Sequence, residues 1–118
     1  QFLYMYQPFS LSTCITIIQG NQLFSAKQYE QALALYEQAI ELDPNNHILP
    51  ANCAQCCLNL KKYDKAISYS NAALSIDPTY VKALLRRAAA YSALGKHEQA
   101  IEGTDYLLMS DIILAVVT

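Results

Sequence analysis

The sequence predicts an all-α domain in which pairs of helices repeat along the chain and stack into a superhelix. The segment YEQALALYEQAIELDPNN at 29–46 returns as YDKAISYSNAALSIDPTY at 63–80, an offset of 34 residues. A third copy opens with HEQAIE at 97–102, and apolar residues recur at helical spacing within each copy. A fixed period of this length is typical of stacked helical repeats.

The period also divides the chain, whose 118 residues have the size of a single domain. Three repeats are predicted at about 13–46, 47–80 and 81–114, and together they form one repeat domain. Residues 1–12 precede it as an atypical apolar segment.

Each repeat is predicted to form two helices joined by a turn. The six helices are expected near 14–27, 30–42, 48–60, 64–76, 81–94 and 98–110. The pairs Asp43-Pro44 and Asp77-Pro78 close the second helices, because proline cannot continue a helix and disfavours helix in its predecessor. Pro50 falls in the first turn of the third helix, where its missing N–H does no harm.

Small residues recur where the helices should approach one another most closely. These positions are Ala32, Ala39, Ala66, Ala73 and Ala100. Tyr36 and Tyr69 are expected to fill the gaps beside them, because protein interiors are close-packed.

The composition excludes several classes of function. A net charge of −2 argues against nucleic-acid binding, which needs a broad basic surface. The sequence contains no Gly-rich phosphate loop, no HExxH and no GxSxG, so neither a cofactor nor a catalytic motif is indicated.

The cysteines are interpreted as buried structural thiols in a reducing, cytoplasmic environment. They are Cys14, Cys53, Cys56 and Cys57. The run CAQCC offers one C-x-x-C without a second pair, and His47 and His97 are isolated, so no metal site is predicted. A thiol enzyme would need a base and an activating charge near the sulfur, and the sequence indicates neither.

Residues 1–26 carry no charge, which raises the question of a targeting or membrane segment. A signal peptide would need a basic leading region, which this segment lacks. Gln7, Pro8 and Ser10 interrupt the apolar run, so a membrane span is not expected.

The repeat resembles the tetratricopeptide repeat over about residues 13–114, most clearly in YEQALALYEQAIELDPNN and KKYDKAISYSNAALSIDP. The resemblance implies a right-handed α-α superhelix of three repeats, with the first helix of each repeat lining a concave groove. The chain departs from the family pattern at both ends. The departures are Thr16, Thr104, Leu107 and Ile112.

The stretch VKALLRRAAAY at 81–91 places cations on one of these groove helices. Lys82 and Arg86 are four residues apart and share a face, whereas Arg87 is turned about 100° away. Asn21 and Asn52 precede Arg86 by 65 and 34 residues, on the two preceding groove helices. Their side chains should therefore line up across the groove.

Gly20-Asn21, Asn52 and the pair Lys82–Arg86 are similar to the carboxylate-clamp form of the repeat, found in co-chaperones. This resemblance implies a non-enzymatic module that binds the C-terminal Glu-Glu-Val-Asp tail of heat-shock protein 70 or 90, with both cations largely exposed in the free groove. Ile17 stands where the family usually has a clamp lysine, and Cys53 where an arginine is usual. The alternative is a general repeat scaffold with a decayed clamp that binds another peptide or protein surface.

Overall fold

The protein is described by a computed structural model that covers the backbone of residues 2–102 and the side chains of residues 11–102. Within these residues the structure is all-helical. The helices are α1 (Phe2–Ser25), α2 (Tyr29–Leu42), α3 (Ile48–Asn59), α4 (Tyr63–Ile76) and α5 (Val81–Ala93). The chain is helical again over 97–102, and the rest of the predicted sixth helix lies outside the described residues.

Four of the helices begin and end within two residues of the predicted positions, but α1 does not. It begins at Phe2 instead of near residue 14, so the prediction of its start was wrong. No glycine or proline occurs between residues 9 and 19, and therefore nothing in that stretch ends the helix. Pro50 lies in the first turn of α3 and is buried, as predicted.

The turn inside each hairpin uses the same backbone conformation. The residues at the turn are Lys27, Lys61 and Gly95, with φ of 63°, 61° and 77°. In the second hairpin the N–H of Lys62 donates to the carbonyl of Cys57 at 2.8 Å, which is the six-to-one bond of a Schellman motif. Equivalent bonds close the first and third turns.

The predicted alanine positions lie at the closest helix contacts. Ala32, Ala39, Ala66 and Ala73 have no exposed surface, and Ala100 is also buried. Consecutive helices from α1 to α5 pack on one another, and α3 also packs on α5. The result is a right-handed α-α superhelix in which α1, α3 and α5 are the first helices of successive hairpins.

The two tyrosines play different roles in this packing. Tyr36 is buried, and a Cβ at Gly20 would lie only 2.8 Å from its Cε1, so the ring packs directly on the backbone of α1. Tyr69 is half-buried and its hydroxyl donates to the Glu37 carboxylate. The residue 34 positions after Tyr36 is Ser70, which is fully buried.

None of the helices in the described part of the chain has the length and apolar character needed to cross a membrane.

Candidate functional site

The first helices of the three hairpins converge on a small cavity of about 150 Å³. Its lining consists of Asn21, Phe24, Tyr36, Asn52, Gln55 and Arg86. Three of the four predicted site residues therefore meet in one place, although they come from three helices and span 65 positions of sequence. The regular 34-residue period and the contacts of α3 with α5 produce this alignment.

Arg86 supplies the only charge in the lining of this cavity. Its Nη1 donates to the carbonyl of Ala51 at 2.7 Å, which links α5 to α3. The side chain is half-buried, so the expectation that it would be largely exposed was wrong. Burial lowers the pKa of Arg86, but a guanidinium remains charged at neutral pH.

Asn21 is held in one orientation by Tyr36. The Tyr36 hydroxyl donates to Asn21 Oδ1 at 2.5 Å. Burial, reinforced by the thiols of Cys56 and Cys53, raises the pKa of Tyr36 to about 12, so the phenol is protonated and remains a donor at neutral pH. Because the amide oxygen is occupied, the NH₂ group of Asn21 is the part that can donate to an anion.

The other two cations of the predicted stretch lie outside the cavity. Lys82 is exposed on α5, one turn before Arg86, and it does not line the cavity. Arg87 donates from Nη1 to Asn71 Oδ1 at 2.9 Å and lines a different cavity, of about 510 Å³, together with Tyr91. Its interpretation as a packing residue agrees with this arrangement.

The side of α1 that faces the groove carries no charge. Ile17 is half-buried one turn before Asn21, and Phe24 follows Asn21 by three residues on the same face. The clamp position without a lysine is thus an apolar surface beside the cavity.

Two lining residues were missed from the sequence, namely Phe24 and Gln55. Each follows a predicted asparagine by three positions, so each lies on the same helix face as that asparagine. The Nε2 of Gln55 donates to Asn59 Oδ1 at 2.7 Å. The three-residue offset was the signal that could have identified both residues.

The thiols do not form a reactive or metal-binding site in the described residues. Cys53, Cys56 and Cys57 are fully buried, and burial raises the pKa of all three, that of Cys56 to about 11. They are therefore protonated at neutral pH and poorly nucleophilic. Residues 2–102 hold no cluster of three His, Cys, Asp or Glu side chains that could bind a metal.

Helical hairpins that recur every 34 residues and line a polar groove define a solenoid protein of the helical-repeat class. Comparison with known families agrees with this class and narrows it. The chain belongs to the tetratricopeptide repeat family, whose sequence model matches residues 23–69 and 60–109.

Curated relatives contain the same repeat within longer chains. The protein STIP1 homolog of Dictyostelium discoideum is 39% identical over 93 residues, which cover 79% of this chain and 16% of the relative. Serine/threonine-protein phosphatase 5 of Homo sapiens is 41% identical over 83 residues, which cover 70% of this chain and 17% of the relative. The chain therefore spans about one sixth of the length of these two relatives.

Solved structures of similar domains include complexes with chaperone peptides. The first TPR of Spaghetti (RPAP3), bound to the HSP90 peptide SRMEEVD, has a TM-score of 0.81 and 34% identity, covering 85% of this chain and 79% of that one. The second TPR domain of human RPAP3, in complex with the HSP70 peptide SGPTIEEVD, has a TM-score of 0.81 and 32% identity, covering 86% of this chain and 84% of that one.

Proposed function

We propose that this domain is a peptide-binding adaptor without catalytic chemistry, which holds the acidic C-terminal Glu-Glu-Val-Asp tail of heat-shock protein 90 or 70. The observation that carries the proposal is the convergence of Asn21, Asn52 and Arg86 on one cavity. The similarity to domains bound to HSP90 and HSP70 peptides supports the same ligand class. These partners suggest that the domain works in the cytoplasm.

The groups around the cavity suit a carboxylate. The guanidinium of Arg86 has N–H donors beyond the Nη1 contact with Ala51, and such donors form strong charge-assisted bonds with carboxylates. Asn21 offers its NH₂ group, and Asn52 offers a second amide from α3. Lys82 is exposed at the same face of α5 and attracts the anionic tail from solvent.

A second candidate is a general repeat scaffold whose clamp has decayed and whose groove takes another peptide or protein surface. The observation that favours it is the apolar Ile17 surface, which leaves α1 without a cation in the groove. Losing one charged hydrogen bond costs about 1.5–3 kcal/mol, or roughly 10- to 100-fold in affinity.

Calorimetry with the peptide SRMEEVD and its C-terminally amidated form separates the two candidates. We expect the free acid to bind and the amide to bind at least about tenfold more weakly, because the amide lacks the terminal charge. We expect Arg86→Ala to lose roughly 10- to 100-fold in affinity, the range for a charged hydrogen bond.

The matched control for this experiment is Arg87→Ala, which removes the same charge from the next residue but outside the cavity. It should bind SRMEEVD like the wild type. Because Arg86 also bonds Ala51, thermal melts of both variants must accompany the titrations. Equal affinity of Arg86→Ala and wild type for the peptide would refute the proposed function.

A further inference from the structure

The groove has an uneven distribution of charge that bears on which peptide it selects. Its cations are confined to α5, where Arg86 lines the cavity and Lys82 lies one turn away. On the opposite side, the groove face of α1 consists of Ile17, Asn21 and Phe24. Residues 1–26 contain no charged side chain at all, so no residue in that stretch can supply a cation there.

The hydrogen-bonding groups of the cavity are similarly concentrated. Tyr36 occupies the amide oxygen of Asn21 and leaves its NH₂ group as donor. Arg86 has already committed Nη1 to the carbonyl of Ala51. The remaining donors of Arg86, with the amides of Asn21 and Asn52, are enough for one carboxylate and lie around one cavity of about 150 Å³.

A second carboxylate would meet a different environment. If it faced α1, it would lose water against Ile17 and Phe24 without gaining a cation, and an unpaired charge is costly to desolvate. An apolar side chain in the same place would instead bury surface against these two residues. The α1 side of the groove therefore favours an apolar group over an anionic one.

We propose, on the basis of the proposed function, that this groove selects C-terminal tails whose last residue has an apolar side chain, with Ile17 as the specificity-determining residue. The main-chain carboxylate of the tail occupies the cavity beside Arg86. The last side chain packs toward Ile17. A tail that ends in Asp still binds, but more weakly than the same tail ending in Val.

The test compares two peptides that differ only in the last residue, SRMEEVD and SRMEEVV, by calorimetry at one ionic strength. For the wild type we expect SRMEEVV to bind about tenfold more tightly. If SRMEEVD binds as tightly as SRMEEVV or more tightly, the inference is overturned and the proposed function stands. If neither peptide binds with a Kd below about 1 mM, the proposed function itself fails.

Two variants of α1 then locate the determinant. Ile17→Lys places a cation on the groove face and should reverse the preference in favour of SRMEEVD. Ile18→Lys adds the same charge at the neighbouring exposed position, about 100° around the helix, and should keep the wild-type preference. A preference for SRMEEVV that persists in Ile17→Lys would contradict the role of this residue, and the wild-type comparison remains decisive if that variant does not fold.

Discussion

Replacing Lys61 by glycine should stabilise the protein, because this lysine lies in the left-handed backbone region with φ of 61°. That conformation costs an L-residue about 1–2 kcal/mol. Glycine avoids the cost but loses about 0.5–1 kcal/mol more in conformational entropy on folding. The free energy of unfolding should therefore rise by about 0.5–1 kcal/mol, which corresponds to a Tm increase of about 2–6 °C for a domain of this size. Urea unfolding followed by circular dichroism measures the change.

Two controls separate the backbone effect from the loss of the side chain. Lys61→Ala removes the ammonium group but keeps a Cβ in the left-handed region, so its stability should stay within about 0.5 kcal/mol of the wild type. Gly95→Ala makes the opposite exchange at φ of 77°, with no atom within 4 Å of the new Cβ, and should lower the free energy of unfolding by about 0.5–1 kcal/mol. If Lys61→Gly were no more stable than Lys61→Ala, the reasoning about the turn would be refuted.

Three further predictions concern the helix contacts and the buried polar groups. Ala66→Leu should lower the free energy of unfolding by about 1–3 kcal/mol because the site is fully packed, whereas Ala72→Leu on the exposed face of α4 should change it by less than about 0.5 kcal/mol; equal melts would mean that the helix contacts are misplaced. Ser70→Ala should raise the free energy of unfolding by about 1 kcal/mol, since the buried hydroxyl has no hydrogen-bond partner, and a loss of stability in urea unfolding would reveal a bond that this geometry lacks. In a thiol titration of the native protein the exposed Cys14 should react first and the three buried thiols only on unfolding; stability should also fall as the pH rises above about 8.5, where unfolded thiols ionise while burial keeps the folded ones protonated, and a flat urea-unfolding profile between pH 8 and 10 would oppose this.

Much of the fold could be predicted from the sequence because its information is local and repeated. The apolar spacing, the Asp-Pro pairs and the alanines at one offset are each visible within a few residues, and the period of 34 confirms them against one another. The start of α1 could not be predicted in this way. The repeat pattern begins near residue 13, but a helix continues backward until something in the chain ends it, and no breaker lies between residues 9 and 19.

The candidate site divides in the same manner. The sequence by itself determined which helix faces meet, because residues at a fixed offset in stacked repeats occupy equivalent positions, and this aligned Asn21, Asn52 and Arg86. Only the tertiary structure decided what each side chain does there. It half-buried Arg86 against the carbonyl of Ala51 and set the Tyr36 hydroxyl on Asn21. These bonds join residues 35 and 15 positions apart, and their formation depends on the distance between packed helices, which no local pattern specifies.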